Sequence, residues 1–230
     1  LKIIDSPYGK CRYCKNIFEK SIIKDHIHSC EERKAVLEKK EMRKCFHILV
    51  TGYGYYGVYW LHLEVPLRAT LKYLDFELRE IWLECCGHLS AFTIGGVRYA
   101  SCPDDEFGLK EKAMNITLGK VLKENKQFTY EYDYGTTTDL ELTVLEEYEG
   151  GSKGSIITLL ARNEPPDLIC SHCDAKAEYI CSECFFNETG LKCEKCCKNE
   201  EHECGIKMSL PVVNSPRTGT CGYTGDKYWL

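Results

Sequence analysis

Hydrophobic and polar positions divide the middle of the chain into short, turn-bounded segments. Phe46–Thr51 and Val58–Val65 are rich in β-branched and aromatic residues and predict two strands. Between them, Gly52-Tyr53-Gly54-Tyr55-Tyr56-Gly57 predicts a glycine-aromatic turn. Thr70 then stands as an N-cap before Leu71, Leu74, Leu78, Ile81 and Trp82, whose spacing of three and four predicts an amphipathic helix stopped by Gly87. His88–Ile94 predicts a strand ended by Gly95-Gly96, and Thr117–Glu124 a short helix. Phe128–Tyr134 alternates aromatic and polar residues, as a half-exposed strand does. After the turn Gly135–Thr138, Leu140, Leu142 and Val144 alternate in a return strand. Gly150–Gly154 predicts a flexible turn, and Ser155–Leu160 a last strand. Strands dominate, with one main amphipathic helix packed across them, so the expected class is α+β.

The flanks follow a different logic. Cys11-x2-Cys14-x11-His26-x3-Cys30 has the spacing of a CCHC-type zinc finger, with Phe18 and Ile23 as its small core. His26 and Cys30 lie four apart and so share a helix face. That helix is expected to start near Lys20 and to run through Ala35, Val36 and Leu37 towards Met42. His28 points away from His26. Near the other end stand Cys170-x2-Cys173, Cys181-x2-Cys184, Cys193-x2-Cys196 and His202-x-Cys204, eight ligands for two tetrahedral zinc ions. Pro165-Pro166 marks the boundary before them. The expected organisation is 1–44 for the finger and a basic helix, 45–164 for the α+β body, 165–208 for the two-zinc module and 209–230 for a tail running extended over the surface.

Composition sharpens this picture. Clustering of the 16 cysteines into C-x2-C pairs favours metal over disulfides, and with it a reducing, cytoplasmic setting. No apolar run is long enough to span a membrane. The chain opens at Leu1 without methionine, which suggests a preceding segment. The net charge of −5 is uneven, because residues 1–44 hold 12 Lys/Arg against 7 Asp/Glu. A basic finger on an acidic body points to an anionic partner through Lys10, Arg12, Lys15, Lys20, Lys24, Lys39, Lys40, Arg43 and Lys44. A solvated helix of mixed charge is the plainer alternative.

Tyr130-Glu131-Tyr132-Asp133-Tyr134-Gly135 resembles the hallmark of the pRiA4b ORF-like family of plasmid and insertion-element passenger proteins. The helix ending in Trp82, followed by His88-Leu89-x-x-Phe92, and the acidic loop Asp104–Gly108 resemble the same family. The resemblance spans about 45–160 and implies an α+β domain without an established reaction. Thr136, Thr137, Thr138 and Asp139 stand where the family carries an Asp and a Trp-His pair. The C-terminal ligand order resembles B-box and MYND-type cross-braced modules. That resemblance implies one site from Cys170, Cys173, Cys193 and Cys196 and another from Cys181, Cys184, His202 and Cys204; sequential pairing is the alternative.

A catalytic zinc keeps one position open for water, whereas these three sets each supply four ligands. About three zinc ions per chain are therefore expected, each structural, because a module with few aliphatic residues needs metal to fold. Six cysteines remain: Cys45, Cys85, Cys86, Cys102, Cys197 and Cys221. Cys86 beside His88 has the makings of a nucleophile, but Cys85 and Cys86 read more simply as small buried residues behind the helix, and Cys221 as tail packing. Glu131 and Asp133, with Asp104 and Asp105, form a candidate acidic cluster or, more simply, solvated charge. The reading is a non-enzymatic zinc-binding adaptor for a protein partner, with no small-molecule substrate. RNA or ribonucleoprotein binding through the finger is the alternative, and an enzyme is the weakest.

Overall fold

The computed structural model describes residues 3–4, 6–103, 110–151, 156–184, 189–198 and 208–225. A ten-stranded sheet dominates them, in the order β3-β2-β11-β5-β4-β10-β9-β6-β7-β8. The strands are β1 (Ile3–Ile4), β2 (Tyr8–Cys11), β3 (Ile17–Glu19), β4 (Arg43–Gly52), β5 (Trp60–Pro66), β6 (Ser90–Ile94), β7 (Val97–Ala100), β8 (Lys112–Ala113), β9 (Gln127–Tyr132), β10 (Thr138–Gly150), β11 (Thr158–Asn163), β12 (Asp167–Leu168), β13 (Tyr179–Cys181), β14 (Leu191–Lys192) and β15 (Ser209–Pro211). The pairings in the large sheet are antiparallel except β7 with β8. The strand-rich α+β expectation agrees with this architecture.

One face of the sheet carries the main core. The helix Leu71–Leu78 (α3 in chain order) is capped by Thr70, whose hydroxyl accepts from the Tyr73 N–H at 3.2 Å. A π-helical turn, Arg79–Leu83, continues it and carries Ile81 and Trp82 inward. Leu71, Leu74, Leu78 and Trp82 pack on Phe46, Ile48 and Val50 of β4 and Leu61, Leu63 and Val65 of β5. The period of two places these six on one face.

The opposite face of β5 is covered as well. Trp60 packs with Ile23 and Ile27 of α1 (Ile23–Ser29), and with Leu160 and Ala161 of β11. Bulges help divide the chain between the two faces. In β11 the register shifts between Leu159 and Ala161, so Leu159 enters the main core while Leu160 and Ala161 both join the second one. In β10 a shift between Val144 and Glu146 sets Glu146 opposite His47.

The N-terminal segment is continuous with the sheet. β2 pairs with β11, and β3 forms the sheet's edge. Gly9 lies so close under the Trp60 indole that a Cβ there would stand 2.0 Å from Cη2. The single helix expected from Lys20 towards Met42 is two, α1 and α2 (Glu31–Leu37), broken at Cys30 by an extended ψ of 117°. The break turns Cys30 back towards the hairpin, while α2 lies over the sheet. Its buried Arg33 donates to Glu64 of β5 at 2.8 Å, and the Tyr148 hydroxyl donates to the same carboxylate oxygen at 2.7 Å.

The other helices are short: α4 is Leu118–Val121, inside the expected 117–124, and α5 is Glu194–Cys197. β14, β13 and β15 form a second, three-stranded sheet around Leu168, Ala177, Ile180 and Leu191. The tail departs from the extended surface path expected of 209–230. Ser215, Arg217 and Thr218 are buried against the body, where the Ser215 hydroxyl donates to the Trp82 carbonyl at 2.7 Å. The Asp104–Gly108 loop lies outside the described residues, as do His202 and Cys204.

Candidate metal centres

The candidate ligands of the N-terminal segment converge. Cys11 ends β2, Cys14 lies in the following turn, His26 projects from α1 and Cys30 stands at the helix break. Their ligand atoms all lie within 4.8 Å of one another. A left-handed Lys15 (φ 63°) and the Lys15 N–H bond to the Cys11 carbonyl close the Cys11–Cys14 turn. Cys11 and Cys30 sulfurs are 4.0 Å apart, and Cys14 Sγ is 3.3 Å from His26 Nε2. Zinc holds sulfur at about 2.3 Å, so the sulfurs of one tetrahedron stand about 3.8 Å apart. The Phe18 ring stacks on His26 at 3.7 Å and fixes its plane. Burial raises the Cys11 thiol and pushes the Cys30 thiol up to about 12, so both ionise readily only against a cation. Burial also lowers His26, favouring the neutral ring that ligates.

In the C-terminal module the first and third C-x2-C pairs converge. Cys170, Cys173, Cys193 and Cys196 place their sulfurs within 4.8 Å of one another, with Cys173 3.7 Å from both Cys193 and Cys196. Those separations fit the edge of a zinc tetrahedron. The Cys170 N–H donates to the Ala175 carbonyl, and Ser171 N–H to Leu191, which brings the first pair beside β14. Burial opposes ionisation of Cys170, but backbone hydrogen bonds at Cys193, His172 and Cys173 prevail and lower it to about 7. Cys197, next to the candidate ligand Cys196, is buried away from solvent. Cys181 lies at the end of β13 with Cys184 in the turn after it; their expected co-ligands His202 and Cys204 fall outside the described residues.

The nine basic candidates spread over several elements. Lys10 and Arg12 lie along β2 and just past it, Lys15 and Lys20 in turns, and Lys24 on α1. Lys39 and Lys40 follow α2, and Arg43 and Lys44 open β4. Among the described residues, Lys24 meets Glu146 at 3.8 Å, Lys44 meets Glu147 at 3.0 Å, and Arg43 meets Glu41.

Two groupings were not read from the sequence. His28 Nε2 and His47 Nδ1 both meet Glu146 Oε1, at 2.7 and 3.2 Å, and His47 Nε2 meets His62 Nδ1 at 2.8 Å. Burial, followed by the charges of His28, Lys24 and Arg33, pushes His47 down to about 3. A cleft of about 530 Å³ beside His62 is lined by Pro7, Lys20 and Lys24 among others. The second grouping is Cys85, Cys86, His88 and Cys221. Cys86 and Cys221 are exposed, which corrects the expectation of buried packing residues. The signal available for it was the Cys-Cys-x-His run itself, in a chain with six cysteines left unassigned.

The acidic-cluster expectation also changes. Glu131 pairs with Arg98 at 2.6 Å, whereas Asp133 adopts a left-handed φ of 65° and is buried against Arg217. Asp104 and Asp105 lie outside the described residues.

No functionally curated protein matches the chain. A solved structure, described as "Crystal Structure of Protein of Unknown Function MM3350 from Methanosarcina mazei Go1", is 21% identical, with a TM-score of 0.44 over 52% of this chain and 71% of that one. Residues 56–169 match the family described as "Plasmid pRiA4b ORF-3-like protein", and the match takes in both the Trp82–Phe92 stretch and Tyr130–Gly135, so it supports that family for the central segment of the chain.

Proposed function

We propose that the protein is a non-enzymatic adaptor whose zinc-closed finger presents an edge of the sheet to a protein partner. The observation that carries this reading is the exposure of Tyr8, Ile17 and Ile22 on and beside the edge hairpin β2–β3. An edge strand with apolar side chains and open backbone groups is a ready template for an added strand. The finger ligands hold that hairpin in shape, and four-ligand, thiolate-rich sites leave no position for a reacting water. The neighbouring cleft offers room for a partner side chain.

The nucleic-acid alternative draws on the same basic finger. It is weakened by the carboxylates that already neutralise Lys24, Arg43 and Lys44. Zinc-loaded full-length protein and its Ile17→Asp variant serve as baits in parallel, with and without nuclease. Partners that survive nuclease and are lost with Ile17→Asp support the adaptor. Partners that vanish with nuclease, and binding that weakens steeply with salt, overturn it in favour of nucleic acid.

A further inference from the structure

We propose that Cys85, Cys86, His88 and Cys221 form a further zinc site, a clasp that ties the C-terminal tail to the body. The four ligand atoms lie within 4.8 Å of one another although Cys221 is 133 residues from His88. Cys86 Sγ stands 3.8 Å from Cys85 Sγ and 3.7 Å from Cys221 Sγ. These are close to the edge of about 3.8 Å that four sulfurs at zinc bonding distance describe. His88 Nε2 completes the set, 2.9 Å from Cys86 Sγ and 3.2 Å from Cys221 Sγ. The three sulfurs are free thiols, well beyond the roughly 2.05 Å of a disulfide bond.

The local backbone is shaped for this convergence. Gly87 has φ +79°, which folds Cys86 and His88 to the same side. Cys221 itself is left-handed at φ 49° and is followed by Gly222 at +70°. L side chains rarely adopt that conformation, so the surroundings must hold Cys221 in it.

The surroundings also supply the outer support that ligating histidines use. His88 Nδ1 lies 3.4 Å from Asp133 Oδ1, leaving Nε2 to face the sulfurs. Asp133 is fixed in turn by the Gly135 N–H, by the Thr136 hydroxyl at 2.7 Å and by Arg217 at 2.6 Å. Arg217 comes from the tail and also donates to Thr138 Oγ1 and, at 3.5 Å, to Cys85 Sγ. Three thiolates and a neutral imidazole around a divalent ion carry one net negative charge, and the buried Arg217 guanidinium stands beside it. Asp133 of the Tyr130–Gly135 stretch therefore acts as a positioning residue for His88.

Three sulfurs and one imidazole nitrogen in a tetrahedron select a thiophilic divalent ion, zinc before any oxygen-seeking cation. On binding, three S–H protons pass to solvent and three metal–sulfur bonds and one metal–nitrogen bond form; nothing is oxidised. A cysteine nucleophile activated by His88 would leave Cys85 and Cys221 without a role, and a Cys86–Cys221 disulfide would leave His88 without one.

The test is made on the full chain loaded with zinc. Cys102 is an exposed cysteine that belongs to none of the clusters among the described residues, and it serves as the internal standard. Peptide mass mapping after brief iodoacetamide treatment should show Cys86 and Cys221 alkylated at least about tenfold more slowly than Cys102, despite their exposure. A strong chelator should abolish that protection. Elemental analysis should find one zinc fewer in Cys221→Ser than in the parent, with far-UV circular dichroism unchanged. Alkylation of Cys86 and Cys221 at the Cys102 rate in zinc-loaded protein overturns the proposal. So does equal zinc content in the folded variant, or a Cys86–Cys221 disulfide that survives zinc loading under reductant. Should Cys221→Ser fail to fold, the alkylation ratio in the parent decides alone.

Discussion

Replacing Arg33 by leucine tests how the N-terminal segment is held to the sheet. The Arg33 and Glu64 side chains are only 4% and 2% exposed, and their charges meet at 2.8 Å between α2 and β5. Glu64 Oε2 also accepts from the Tyr148 hydroxyl, and the Arg33 guanidinium lies 5.6 Å from the Tyr148 ring. Without Arg33 the buried carboxylate loses the guanidinium that meets it from α2, while the Tyr148 hydroxyl still donates to it. Breaking a buried pair from one side costs about 3–5 kcal/mol, whereas replacing both charges by apolar groups of similar volume is close to neutral. Arg33→Leu should therefore lose about 3–5 kcal/mol, and Arg33→Leu/Glu64→Leu should recover most of it. Equilibrium urea unfolding in zinc-containing buffer, followed by tryptophan fluorescence, measures both; Trp60 is fully buried where α1 meets the sheet, and Trp82 is fully buried in the main core. A loss below about 1 kcal/mol for the single variant, the range of a solvated pair, would refute the reasoning.

Three further outcomes are expected. Gly9→Ala places a Cβ 2.0 Å from the Trp60 ring and 2.7 Å from the Arg162 carbonyl, so the hairpin must lift; a cost of about 1–3 kcal/mol should lower the melting temperature. His47, faced by His28, Glu146, His62, Lys24 and Arg33, stays neutral in the folded protein, with its pKa lowered from 6.5 to about 3. Its contribution is complete above about pH 6.5 and is lost as pH falls towards 3, with a slope approaching about 1.4 kcal/mol per unit; His47→Gln should flatten stability between pH 6.5 and 5 relative to the parent. Cys193→Ser should remove one zinc equivalent by elemental analysis and raise the amide exchange of β13 and β14 while leaving β4 and β5 protected.

Local patterns carried much of the fold. The Thr70 cap and the three-and-four spacing after it located α3, β-branched and aromatic content located β4, and alternation located β9 and β10. β5 shows why more was not legible. His62 and Glu64 occupy the positions that alternation assigns to solvent, yet α1 and α2 fold back over that face and bury them. The helix break at Cys30 was hidden because helix-forming residues continue on both sides of it. The clustering of Cys11, Cys14, His26 and Cys30, and of Cys170, Cys173, Cys193 and Cys196, was legible because a C-x2-C step is a local geometry. The Cys85–Cys221 grouping depends on a tail that docks by long-range polar contacts, and no window of sequence contains both ends of it.

The position of β4 has a practical consequence for dissecting the protein. The family match begins at residue 56, after β4 has ended, yet β4 lies between β5 and β10 in the sheet. A fragment cut to the matched segment would retain both neighbours of a missing central strand, and each would expose a row of unpaired backbone donors and acceptors. Either those strands would have to close on each other in a new register, or the fragment would recruit a strand from another molecule. A soluble fragment should therefore start upstream of Arg43, and one that also preserves the covered face of β5 must reach back through α1.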